Sequence, residues 1–135
     1  QRRYAMFACI FLAGILVENG TTDGIEDLLN TDWDLIINEE IIDMEALIYQ
    51  IRGSAASLEG KYDEADEFFD KAMAIFEKSD TVIENGRTLL ARAKMRQKQG
   101  EIEEATEDAR NARDIFEKCK AANDLSKAKL FLADL

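Results

Sequence analysis

Apolar residues recur along this chain at helical spacing. Ile25, Leu28, Leu29, Trp33, Ile36 and Ile37 form one stripe, closed by a short polar break at Asn38-Glu39-Glu40. Ile41, Met44, Ile48, Ile51, Ala55 and Leu58 form the next stripe. Beside it runs a second, of Ile42, Ala46, Tyr49, Gly53 and Ala56. A helix with two apolar stripes has neighbours on two sides. The pattern predicts helices near 2–19, 23–37, 40–59, 63–79, 82–99, 103–120 and 124–134. Asn19–Gly24 and Glu59-Gly60-Lys61 read as turns, Ser79-Asp80 as a soft link, and Ala121–Asp124 as the last link. Proline is absent, which suits a chain that is helical nearly throughout.

Tyr4 to Val17 carries no charge. Arg2 and Arg3 precede it, as in a signal peptide, but no small-residue cleavage site follows. A membrane span needs about 20 apolar residues, so the segment is expected to be a helix buried on most sides.

The chain repeats itself after forty residues. Gly20, Gly60 and Gly100 align as turn glycines, with Ala13, Gly53, Ala93 and Ala133 as small residues seven positions before each turn. Ile25, Ala65 and Ala105 align five positions after it, and the later copies add Phe69 with Ala109 and Ala72 with Ala112. A glycine ends a helix in a left-handed conformation that other residues adopt at a cost. Small residues on both sides of the turn let two helices approach to about 8–10 Å. A helix–turn–helix unit at this period means a helical solenoid. The expected organisation is a single domain over 1–135, with repeats at about 1–39, 40–79 and 80–120 and a partial one at 121–135. Gln1 at the start and Leu135 inside an apolar pattern suggest a piece of a longer protein.

The second copy reads small residue, turn glycine, aromatic, alanine, large apolar, alanine: Gly53, Gly60, Tyr62, Ala65, Phe69, Ala72. The third reads Ala93, Gly100, Ile102, Ala105, Ala109, Ala112, and the first is degenerate, with Ala13, Gly20, Thr22, Ile25, Leu29, Asp32. This pattern resembles the tetratricopeptide repeat. The resemblance implies an all-α, right-handed superhelical solenoid of antiparallel helix pairs, about three repeats plus a truncated helix. Its period is longer than the usual 34 or so, and the closing proline is missing. In this it is similar to the longer repeats of polarity adaptors and of bacterial and archaeal signalling regulators.

Charge narrows the partner. Residues 1–51 hold two bases against ten acids, or −8, and residues 52–135 hold fifteen against eighteen, or −3, giving −11 in all. Phosphate backbones would be repelled, so no nucleic acid is expected. Histidine is absent, and Cys9 and Cys119 have no metal-ligand spacing, so no metal and no cofactor are expected. Nothing asks for an oxidising compartment, which points to the cytoplasm. Carboxylate pairs (Asp63/Glu64, Asp66/Glu67, Glu103/Glu104, Glu107/Asp108) are read as solvated helix faces. Ser54 and Ser57 have no placed base, and the chain is read as no enzyme. Trp33 is read as a core or inter-repeat contact.

Between Gly86 and Gly100 lie Arg87, Arg92, Lys94, Arg96 and Lys98, with no acid among them. Arg87, Leu90, Lys94, Gln97 and Lys98 share one helical face. The resemblance places that face in the concave groove that each repeat's first helix lines. Leu47, Gln50, Ser54, Ser57 and Leu58 are its equivalents in the preceding copy, and Lys127 and Leu130 in the following one. The functional reading is a basic-edged, partly apolar groove for an acidic peptide or partner protein. The competing reading is a solvated face paired with acids on adjacent helices. Gln50 and Ser54 stand where the carboxylate clamp of chaperone-binding members would need lysine and asparagine, so that clamp is not carried over. A different role is a regulatory or sensor segment of a larger signalling ATPase or transcription regulator.

Overall fold

The computed structural model describes residues 2–30 and 42–135, and side chains from Phe7 to Asn30 and from Met44 to Leu135. Its elements are α1 (Arg2–Glu18), α2 (Ile25–Leu29), α3 (Ile42–Leu58), α4 (Tyr62–Lys78), α5 (Val82–Lys98), α6 (Ile102–Lys118) and α7 (Ala122–Asp134). Among the described residues every regular element is an α-helix, so the chain is all-α with the helical-repeat pattern. From α3 onward a helix begins every twenty residues, at 42, 62, 82, 102 and 122. α3 to α6 each have 17 residues, which leaves three for each link.

One backbone device closes these helices. Gly60, at φ 76, donates its N–H to the Ser57 carbonyl (3.1 Å), and Lys61 donates to Ala56 (2.8 Å). This pair of bonds satisfies carbonyls that the helix end would leave without partners. Gly20 and Gly100 repeat it, both at φ 81. The alternate links do the same without glycine: Asp80 at φ 57 and Lys120 at φ 55. Asp80 and Thr81 bond back to Glu77 and Phe76, and Lys120 and Ala121 to Glu117 and Phe116. The last turn therefore lies at Cys119-Lys120, two residues ahead of where composition places it.

The predicted second helix is shorter than its pattern. α2 ends at Leu29, and Asn30 has left the helix at φ −80, ψ 66. The remainder of that predicted helix, with Trp33, Ile36 and Ile37, lies outside the described residues, as do the break at Asn38–Glu40 and Ile41.

The chain forms two compact units, residues 1–72 and 73–135. In the first, Ile10 and Ala13 of α1, Ile25 and Leu29 of α2, and Met44, Ile48 and Ile51 of α3 make one buried cluster. Arg52 of α3 pairs with Glu26 of α2 at 3.5 Å. The other stripe of α3 faces α4: a Cβ on Gly53 would come within 2.6 Å of Phe69 Cε1. α3 thus has neighbours on both sides, as its two stripes require.

In the second unit Leu90 and Ala93 of α5, Ala109, Ala112 and Phe116 of α6 and Ala128 of α7 form the core. Gly86 is its close-approach point, where a Cβ would lie 2.8 Å from Phe116 Cε1. Outside the exposed turn glycines, the repeat columns are core: Ala13, Ala65, Phe69, Ala72, Ala93, Ala105, Ala109 and Ala112 are fully buried. Ala133 alone of its column is exposed.

α1 corrects an expectation. It is not buried on most sides: Phe7, Phe11, Leu12 and Ile15 are exposed. Its described helical neighbours, α2 and α3, meet the face of Ile10 and Ala13 and leave the opposite face uncovered.

Candidate functional site

The basic stretch of α5 divides by what each side chain meets. Arg92 and Arg96 are one helical turn apart and face α6. Arg92 makes a bidentate contact to Asp108, with Nε donating to Oδ2 at 2.8 Å and Nη2 to Oδ1 at 3.0 Å. Arg96 Nη1 adds a third bond to Oδ2 at 3.0 Å. Asp108 is only 3% exposed. A carboxylate can be held this deep because both oxygens are satisfied and two guanidinium groups offset its charge. This overturns the reading of the Glu107/Asp108 pair as a solvated face, which holds for Glu107 alone. The signal was present in the sequence. Asp108 falls on the Ala105–Ala112 stripe, so the stripe that is core carries the acid inward.

Arg87 joins α5 to α7. Its Nε and Nη2 donate to the two carboxylate oxygens of Asp124, at 3.1 and 3.0 Å, and its Nη1 bonds Glu84. Those bonds to Asp124, helped by the nearby Glu84 charge, raise the guanidinium's pKa above its ordinary value against the opposing effect of partial burial. Asp124 also sits in the first turn of α7, where a negative charge meets the positive end of the helix.

The lysines differ. Lys94 and Lys98 of α5 and Lys127 of α7 are exposed, and none forms an ion pair among the described residues. Leu130 lies on the same helix as Lys127 and is 67% exposed. Gln97 is half-buried. Leu90 is buried in the core cluster, so its side chain packs the second unit and is not open to a ligand. The second unit therefore keeps Lys94, Lys98, Lys127 and Leu130 of the predicted face open, with Arg87 engaged by two acids.

In the first unit the equivalent positions lie on α3. Leu58 is exposed, Leu47, Gln50 and Ser54 are half-buried, and Ser57 is buried. Leu47 packs partly against the α1–α3 core. On the other side of α3 the Tyr49 and Phe68 rings stack at 6.2 Å, with Lys71 Nζ 5.5 Å above the Tyr49 centroid. This aromatic–cation group had no sequence signal beyond single residues. Among the described residues no cluster of acids and cysteines could hold a metal ion, and no helix is long and apolar enough to cross a membrane.

The family model of the tetratricopeptide repeat matches residues 43–118, more than half of the chain. No curated protein and no solved structure matches it.

Proposed function

The chain belongs to the tetratricopeptide repeat family, and from that premise we propose that it is a protein-interaction scaffold whose ligand is an acidic stretch of a peptide or partner protein. Members of this family bind proteins, and the first helix of each pair presents the binding face. Here those helices include α3, α5 and α7. The observation that carries the proposal is the division of charge on α5 and α7. The arginines are engaged by Asp108, Asp124 and Glu84, while Lys94 and Lys98 of α5 and Lys127 and Leu130 of α7 are exposed. Open positive charge on a chain of net −11 selects and steers an acidic partner. Each exposed pairing contributes only about 0–1 kcal/mol, so apolar contact at Leu130 is part of the recognition. On the first unit, Leu47, Gln50, Ser54 and Leu58 are the corresponding proposed contacts. The same charge argues against nucleic acid as partner. The proposal includes no catalysis and places the chain in the cytoplasm.

A titration with a glutamate-rich peptide, followed by NMR, tests it. Shifts are expected at Lys94, Lys98, Lys127 and Leu130. Charge reversal by Lys94→Glu with Lys98→Glu should weaken binding and flatten its salt dependence. Binding indifferent to that double substitution would place the surface elsewhere.

A further inference from the structure

The face of α1 that the described helices leave exposed stands outside the proposed binding surface. Phe7, Phe11, Leu12 and Ile15 are 43%, 73%, 47% and 50% exposed. Phe7, Phe11 and Ile15 are spaced four apart and so form one row along the helix, with Leu12 beside them. Together they leave apolar surface on the order of 400 Å² in water, within the range of the largest patch on a monomer, which is often functional. Nothing between Tyr4 and Val17 carries a charge.

We propose that this face is where two copies of the chain associate, α1 against α1. Charge selects the occupant. The outer faces of α4 and α6 are acidic, with Asp63, Glu64, Glu67 and Asp70 exposed on one and Glu103, Glu104, Glu107 and Asp114 on the other. Two chains of net −11 repel wherever such faces meet. The α1 face opposes no charges when it meets itself, and a two-fold contact requires a self-complementary patch. Area agrees. Two such patches bury roughly 800 Å² of apolar surface, and a polar rim brings the total to the lower range of stable interfaces, about 1,200 Å². A bilayer is a poorer occupant, because the uncharged segment is shorter than a span and, with Arg2 and Arg3 only ahead of it, has no charged face along its length as a surface-lying helix does.

Sedimentation equilibrium of the full chain over a range of concentrations, at low and high salt, tests this. The expected mass rises from one chain to two with concentration, and salt leaves the association intact or strengthens it. Phe11→Glu should weaken association about tenfold or more by placing charge in the contact, with the circular dichroism spectrum unchanged because the residue is exposed. Ile15→Glu should act in the same direction, and Leu130→Glu, on an exposed leucine of α7, should not. A single-chain mass at every concentration overturns the proposal. So does a dimer that Phe11→Glu and Ile15→Glu leave intact.

Discussion

The ring of Phe69 occupies the space that a side chain on Gly53 would need: a Cβ there would stand 2.6 Å from Cε1 and 2.7 Å from Cδ1. Both residues are buried, so neither can yield into solvent. The equivalent positions of the next repeat hold Ala93 and Ala109. One repeat meets the spacing between its helices with the smallest residue and a large ring, the other with two alanines. We predict that Gly53→Leu destabilises by about 2–4 kcal/mol through overpacking. Phe69→Ala alone should cost about 3–5 kcal/mol. Combined with Gly53→Ala it should cost less than the two changes summed, by about 0.5–3 kcal/mol. Urea unfolding of the four chains measures this, and strict additivity would show that the two positions are independent.

Asp108 is the second test. Asp108→Asn keeps the shape and removes the charge that two arginines share. The predicted loss is about 2–3 kcal/mol, below the range for a fully buried pair because Arg92 and Arg96 keep 16% and 22% of their side-chain exposure. Asp114→Asn, at an exposed acid of the same helix, should stay within about 0.5 kcal/mol. Equal midpoints of chemical denaturation for the two variants would contradict the structural role of Asp108.

The alternate links offer stabilising changes. Asp80 and Lys120 hold positive φ values of 57 and 55, which strain an L-residue. Asp80→Gly and Lys120→Gly are predicted to stabilise by about 0.5–1 kcal/mol each, with the larger gain at Lys120 because aspartate tolerates this conformation better than lysine does. Gly60→Ala should lose about 1 kcal/mol for the same reason. Thermal melts read all three, and unchanged melting temperatures in the glycine variants would refute the account of these turns.

Tyr49 gives a pH dependence. Partial burial, then the Glu45 carboxylate that its hydroxyl bonds, raise its pKa above the usual 10.0. The folded chain therefore keeps this proton longer than the unfolded chain does. Its contribution to stability is full below the unfolded pKa, near 10.0, and is lost as pH rises through the higher folded value. Tyr49→Phe should remove that part of the alkaline fall, as followed by urea midpoints between neutral and alkaline pH. An alkaline profile identical in the variant would refute it.

Some of this was legible from spacing alone. Gly60 and Gly100 mark turns by themselves, since a glycine at the end of an apolar stripe has a backbone reason to be there. The links at Asp80 and Lys120 use the same geometry without glycine, so composition alone puts the last turn two residues late, at Ala121, where the polar residues that follow draw it. The uncharged α1 segment showed that it was a helix but not which side its neighbours took, because an all-apolar stripe has no phase. The lysine face followed from four-residue spacing. Which basic groups were engaged did not: Asp124 reaches Arg87 across 37 residues of sequence, and no local pattern records that.

The twenty-residue interval between helix starts also bears on how such a chain can change length by mutation. One residue inserted within α6 would rotate everything after it by about 100°, carrying Ala109, Ala112 and Phe116 off the face that packs on α5. A block of twenty would preserve the register of helices and links but put the second helix of a pair where a first belongs. A block of forty restores both. Heritable insertions and deletions that survive should thus come in forties, or fall at the three-residue links, where a shift in count leaves each helix's own face intact.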